Sequence, residues 1–443
     1  MLVASTHTLR QTITMMKASV LSSRSKFLHT ISSTISGKAA HSHLLAWQPA
    51  NATRSIARTC TSASVGSTSG VHPALVPSVS PAVGWWLMGC SASVFGMVVL
   101  GGVTRLTRSG LSMTDWRPQG SMPPVSLDEW EAEFAKYKRF PEYQRLHPDM
   151  TLDEFKSIFY LEWAHRMAGR AVGIIFGVPL LYFAARGKIT RGLAPTLGLL
   201  FVMGGSQGLV GWWMVKSGLE EPPKNSDGVP RVSPYRLAAH LTTAFVIYSL
   251  LLYTALGVLQ PRAPAVPEPL AAFKSRAHLL ALLIGVTAIS GAFVAGMQAG
   301  LAFNTFPLME GRFVPEGYFG LEPAYRNFFE SVPSVQLHHR ILALSTLTAV
   351  TAFWVFAQRV PLPPTLRRAT DVLLLGAAGQ VTLGVATLLN AVPVWLGSAH
   401  QAGALTLFSI MLFTLHATRV PSSAVATARM SAARMHKVAL AHA

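Results

Sequence analysis

Four residues in one short string suggest what chemistry this chain can do. Glu162-Trp-Ala-His165-Arg166-Met-Ala-Gly-Arg170 brings a carboxylate, an imidazole and two guanidiniums into about two turns of helix, where a long apolar segment opens. The string recurs, changed at its first position, as Gln336-Leu-His-His339-Arg340. His240 and His400, each in an apolar segment of its own, complete the set.

A single histidine in an apolar helix is usually structural. Four of them, paired by a repeat and set at one depth, point instead to axial ligation of a flat macrocycle inside a helix bundle. Zinc or di-iron sites need carboxylates or further donors nearby, and the helices of the second half offer none. The expectation is one bis-histidine haem site per half, with His165, His240, His339 and His400 as metal ligands. Arg166, Arg170 and Arg340 are then candidates to pair with haem propionates through parallel hydrogen bonds; snorkelling toward the interface is the alternative. Glu162 is the one acid placed well within a spanning segment, where a carboxylate is costly and marks a functional site. Its counterpart Gln336 cannot ionise or carry a proton. Catalysis is therefore expected in the N-terminal half, with a haem for electron transfer or structure in the C-terminal half. His338 points about 100° away from His339 around the helix and is not expected to be a ligand. His278 and His416 lie toward the opposite membrane face.

Composition says what must position these groups. The 443 residues are 50% hydrophobic and only 13% charged, with positive mean hydropathy, the balance of a membrane protein. Eight apolar segments, at about 83–105, 158–184, 192–215, 235–258, 276–298, 334–357, 370–391 and 395–417, each approach the ~20 residues that cross a bilayer as a helix. The prediction is an all-α membrane protein of eight transmembrane helices in two pseudo-symmetric four-helix bundles, 83–258 and 276–417. The repeat supports this: Gly110-Leu111 matches Gly300-Leu301, Gln207 and Gly211 match Gln380 and Gly384, and the histidines match in order. A further helix is expected at 126–139, capped by Ser126, with Trp130, Phe134 and Tyr137 at helical spacing.

Residues 1–80 contain no acid and carry Arg10, Lys17, Arg24, Lys26, Lys38, Arg54 and Arg58 among many Ser and Thr, as a mitochondrial transit peptide does. Short basic connections at 185–191, 259–276 and 358–369, with a basic tail at 418–443, place those loops and both termini in the matrix of an inner-membrane protein. The longer loops 106–157, 216–234 and 299–333 hold most of the acids and face the other side. The formal charge of +18 does not indicate nucleic-acid binding, because the mature cations flank apolar segments and form no basic face. Of two cysteines, Cys60 lies in the presequence and Cys90 in the first apolar segment, so no disulfide is expected.

The strings Gly-Gly-Val-Thr-Arg-Leu-Thr-Arg-Ser-Gly-Leu-Ser-Met (101–113), Phe-Lys-Ser-Ile-Phe-Tyr-Leu-Glu-Trp-Ala-His-Arg (155–166), Phe-Asn-Thr-Phe-Pro-Leu-Met (303–309) and Ala-His-Gln-Ala-Gly-Ala-Leu (399–405) closely resemble the haem A synthase family of cytochrome c oxidase assembly, across about 84–417. The resemblance implies oxidation of the C8 methyl of haem O to a formyl group by O₂ and a ferredoxin-type electron donor. It implies a prosthetic haem b on His339 and His400, haem O as substrate on His165 and His240, and Glu162 as the functional carboxylate. Haem O synthase and oxidase assembly factors are implied partners, and a homo-oligomer is compatible with it. Two departures stand out: Arg108 where many relatives have an acid, and Leu337-His338 in place of Phe-Asp. A di-haem b-type electron-transfer protein without enzymatic activity is the competing reading.

Overall fold

The computed structural model describes residues 79–222, 228–261 and 268–419. The expected presequence up to 78 and the basic tail from 420 lie outside the described residues. Eight described helices are long and apolar enough to cross a membrane. In chain order the helices are α1 (Pro81–Leu106), α2 (Leu127–Tyr137), α3 (Pro141–Leu146), α4 (Leu152–Ala185), α5 (Ala194–Leu219), α6 (Pro234–Leu259), α7 (Glu268–Gly296), α8 (Ala299–Ala302), α9 (Val332–Gln358), α10 (Pro364–Leu389) and α11 (Val394–Ala417), with a 3₁₀ turn at Ala324–Phe328 before α9.

Local chemistry sets the helix starts. Proline stands in the first turn of α1, α5, α6, α9 and α10, where its missing N–H has no partner to lose. Ser126 and Thr151 form capping boxes with Glu129 and Glu154, each satisfying two orphan donors. The Thr151 box starts α4 at Leu152, about two turns ahead of the expected 158. Phe155 on that extension and Phe159 just after it are buried against Trp130, Phe134 and Tyr137 of α2, so the loop helix packs on the outward end of α4. The spacing predicted this face of α2; the polar residues 152–157 hid the start of α4.

Within the first half, α1 and α5 each pack against both α4 and α6. That puts α4 and α6 at opposite corners of a four-helix ring. In the second half, α7 and α10 each touch α9 and α11, and α9 and α11 take the opposite corners. The two rings share a seam, with α1 against α11 and α6 against both α7 and α11. Each ring has its own buried cluster, centred on Leu87, Cys90, Leu197 and Leu251 in one and Phe273, Val350, Leu373 and Met411 in the other. Outward positions such as Val178, Leu181, Val202, Leu279 and Leu375 are exposed and apolar, as a lipid-facing surface requires.

Polar contacts fix the seam near the long loops. Arg105 donates to the carbonyls of Ala295 and Gly296 at the end of α7, and Gln401 on α11 donates to Val98 O on α1. Arg108, the departure noted above, donates to Gln298 Oε1 at 2.9 Å. Arg108 and Gln298 are equivalent in the repeat and both have positive φ, 54° and 55°. The two copies of one turn therefore bond to each other across the seam.

Candidate functional site

The corner helices carry the four histidines: His165 on α4, His240 on α6, His339 on α9 and His400 on α11. His240, His339 and His400 lie about two turns from the start of their helices, whereas His165 lies nearly four turns along because α4 begins earlier. Each pair occupies opposite corners of its ring.

Every one of these imidazoles rests on a glycine of a neighbouring helix. A Cβ added to Gly101 of α1 would stand 3.1 Å from His165 Cε1, and one on Gly211 of α5 3.1 Å from His240 Cε1. The equivalent distances are 3.3 Å from Gly291 of α7 to His339 and 2.8 Å from Gly384 of α10 to His400. All four fall inside ordinary carbon contact distance, so any larger residue would displace the ring. Gln207 and Gln380, one turn before the glycines of α5 and α10, donate to the main-chain oxygens of His240 and His400 at 2.9 and 2.8 Å. The sequence showed Gln207, Gly211, Gln380 and Gly384 as repeat markers, and their packing gives them a role; Gly101 and Gly291 take the same role without having stood out.

The Nδ1 atoms separate the halves. His339 Nδ1 is 2.7 Å from Ser290 Oγ, and His400 Nδ1 is 3.1 Å from the Gln380 side-chain amide. His165 Nδ1 and His240 Nδ1 are buried without a hydrogen-bond partner.

Glu162 is buried, 2% exposed, and four donors converge on it. Oε2 accepts the Ser112 hydroxyl and the Met113 N–H, both at 2.7 Å. Oε1 accepts Arg166 Nε at 3.0 Å and Nη2 at 2.6 Å. Ser112 and Met113 were not singled out by the sequence reading, although both lie in the string 101–113. Arg166 also donates to the carbonyls of Met113 and Asp115, and Arg170 to those of Arg117, Pro118 and Arg166. Arg340 donates to Phe303, Thr305, Pro307 and Leu308.

Met113 and Asp115 are the repeat equivalents of Phe303 and Thr305, so Arg166 and Arg340 make the same two contacts in the two halves. The arginines expected to meet propionates also fasten the long loops to α4 and α9. Gln336 donates to Phe303 O at 3.0 Å, reversing the polarity of the Glu162 contact with Met113 N–H. His338 is turned away from His339, stacked on Phe328 with ring centroids 5.0 Å apart.

Outside the spans, Glu142 on α3 is buried and accepts the Tyr137 hydroxyl at 3.2 Å. Burial pushes its carboxyl up to about 7; the Tyr137 bond and the charges of Arg105 and Arg108 oppose this, and Glu162 adds to it.

The residues fit a haem in each half. Each ring offers two imidazoles from opposite corners, each seated on a glycine of a neighbouring helix. Among the described residues no group of three or more His, Cys, Asp or Glu could hold a bare metal ion.

The family described as COX15-CtaA, cytochrome oxidase assembly protein, matches residues 84–412. A protein of Arabidopsis thaliana named heme A synthase COX15 is 53% identical over 352 residues, covering 78% of this chain and 76% of the relative. The Bos taurus protein of the same name is 48% identical over 339 residues, 76% of this chain and 82% of the relative. A heme A synthase of Nitrosospira multiformis is 44% identical over 344 residues, 77% of this chain and 95% of the relative.

Proposed function

This chain belongs to the COX15-CtaA family of cytochrome oxidase assembly proteins, and from that membership we propose that it is an oxidoreductase converting haem O to haem A by oxidising the C8 methyl to a formyl group. His165 and His240 hold the substrate, and His339 and His400 hold a prosthetic haem b. The inner mitochondrial membrane is the proposed location, with both termini in the matrix, supported by the acid-free presequence composition and the short basic loops. A ferredoxin-type protein is the proposed electron donor. The bound haem supplies the redox chemistry.

The protein's part is to place the methyl and to set the charge around it. Opposed imidazoles seated on Gly101 and Gly211 fix the substrate within the ring of α1, α4, α5 and α6. Glu162, three residues before His165, is held by Arg166, Ser112 and Met113 N–H. Such a fixed carboxylate in a low-dielectric setting stabilises positive charge that develops nearby, without reorganisation cost at the moment of reaction. Its four donors favour this role over that of a proton carrier.

The observation that carries the reading is the asymmetry inside the repeat: both halves seat two histidines on glycines, and only one half has a carboxylate beside them. Glu162→Gln makes the N-terminal copy resemble the C-terminal one. With a haem O source co-expressed and pigments resolved by mass, the wild type is expected to yield haem A. The variant is expected to retain haem B and haem O and to form no haem A. Normal haem A in E162Q would remove Glu162 from the mechanism. Haem O recovered unchanged from the wild type would favour a di-haem electron-transfer protein or carrier.

A further inference from the structure

We infer that the two halves are built to hold haem with different tenacity, and that Ser290 is the positioning residue that makes the C-terminal haem the retained one. The inference rests on the assignment of one haem site to each half. Ser290 Oγ is 2.7 Å from His339 Nδ1 and donates its own proton to Thr287 O at 2.7 Å. A hydroxyl has one proton to give. With that proton committed to Thr287 O, Ser290 Oγ accepts from His339 Nδ1–H. This chain fixes the tautomer, prevents the ring from turning and leaves the Nε2 lone pair as the ligand. Partners of this kind orient a ligating histidine and raise its basicity, and their removal typically weakens metal binding about 10–100-fold.

The repeat shows what the N-terminal half lacks. Gly101 and Gly291 seat the first histidine of each pair, and the residue before the glycine is Leu100 in one copy and Ser290 in the other. Leucine offers no acceptor, and His165 Nδ1 is buried without a partner.

The second histidine of each pair differs in the same direction. In the first half Thr243 donates to Gln207 Oε1, which holds that amide on the main chain of α6 and off the ring of His240. The equivalent of Thr243 is Gly403, whose missing side chain makes room for Gln380: a Cβ there would stand 2.3 Å from Gln380 Oε1. The Gln380 amide reaches His400 Nδ1 at 3.1 Å. The same nitrogen donates to His400 O, so the amide lies between the main chain and the ring, a position that Gln207 does not take. Two independent substitutions, Leu100 to Ser290 and Thr243 to Gly403, thus set a polar side chain against the Nδ1 of both rings in the C-terminal half and of neither in the N-terminal half. Fastened ligands suit a cofactor that stays. Ligands free to turn suit a macrocycle that must enter as substrate and leave as product.

The test uses the full chain in detergent with its haems bound. His339→Ala first identifies the optical and electron-spin-resonance signature of the C-terminal haem. Release of each haem to excess apomyoglobin is then timed for the wild type, Ser290→Ala, Ser290→Thr and Leu100→Ser. Ser290→Ala is expected to release the C-terminal haem about 10–100-fold faster and to shift its low-spin signature. Ser290→Thr, which keeps the hydroxyl, should behave as the wild type. Leu100→Ser should slow release from the N-terminal half about tenfold or more. Wild-type release rates and signature in Ser290→Ala, or a Ser290→Thr protein as leaky as Ser290→Ala, would overturn the inference. Release is read on bound pigment whatever its later fate, so failure to oxidise haem O would sink the proposed activity and leave these rates to decide the question of retention.

Discussion

Replacing Gly384 by alanine isolates the glycine seat. The added methyl would lie 2.8 Å from His400 Cε1, 3.4 Å from Nδ1 and 3.5 Å from Nε2, whereas carbon atoms pack best at about 3.5–4.0 Å. The ring or α10 must therefore give by roughly 0.7–1.2 Å. Gln380 restrains the neighbouring backbone through His400 O, and overpacking in such a setting costs about 1–3 kcal/mol. If that cost falls on haem-bound geometry, affinity in the C-terminal half drops roughly 5–150-fold, at about 1.4 kcal/mol per factor of ten.

The seats also predict an order. Gly384→Ala should be the most damaging, Gly101→Ala and Gly211→Ala intermediate at 3.1 Å, and Gly291→Ala mildest at 3.3 Å. Gly379 on the same helix has nothing within 4 Å of an added Cβ, so Gly379→Ala should be neutral or stabilise α10 by up to about 1 kcal/mol through helix propensity. Haem content per chain and the bound-haem spectrum, measured on the purified proteins, check the series. Full haem occupancy in Gly384→Ala, or equal losses in Gly384→Ala and Gly379→Ala, would refute the steric argument.

Glu142 predicts a pH effect on the first long loop. Its folded-state pKa is raised from 4.5 to about 7, so stability relative to an ordinary carboxyl is full below about pH 4.5 and is lost as pH rises through about 7; the upper bound is on the order of 3 kcal/mol. Hydrogen exchange of α2 and α3 should quicken between pH 5.5 and 8 beyond the intrinsic rate, and Glu142→Gln should flatten that dependence; a dependence unchanged in the variant would contradict the assignment. Arg340→Met removes the donors to Phe303, Thr305, Pro307 and Leu308. It should loosen 303–309 by about 2–4 kcal/mol, given roughly 1.5–3 kcal/mol per charged hydrogen bond and partial replacement by water. Faster exchange confined to that loop supports the fastening role, and haem loss with the loop still protected would return Arg340 to the propionates.

The parts of the fold that were legible in the sequence are those written in hydrophobicity. All eight spanning helices begin and end within about eight residues of the apolar segments, and the early start of α4 comes from the Thr151 cap and Phe155. A capping box and one aromatic in a charged stretch carry little apolar signal, so the segment looks like loop until α2 is there to cover it. Among the site residues, the histidines were legible because an imidazole in an apolar helix is rare enough to be noticed. Ser290, Gly403, Ser112 and Met113 were not, because serine, glycine and an N–H are ordinary until a partner stands beside them.

The arginines show what reasoning from residue type alone leaves out. A guanidinium one residue after a proposed haem ligand invites pairing with a propionate, and the alternative of snorkelling assumes water as the partner. Main-chain carbonyls were a third choice. Loops 106–126 and 303–331 must turn sharply over the helix ends and leave carbonyls without helical partners, which cost free energy if buried unpaired. A planar guanidinium can satisfy several at once, and Arg166 and Arg340 do so at equivalent positions in both halves. A contact kept in both copies serves a need both copies share, which is to close the loop over the ring. What the copies do not share, Glu162 against Gln336 and Leu100 against Ser290, is where the proposed reaction chamber and the proposed holding site differ.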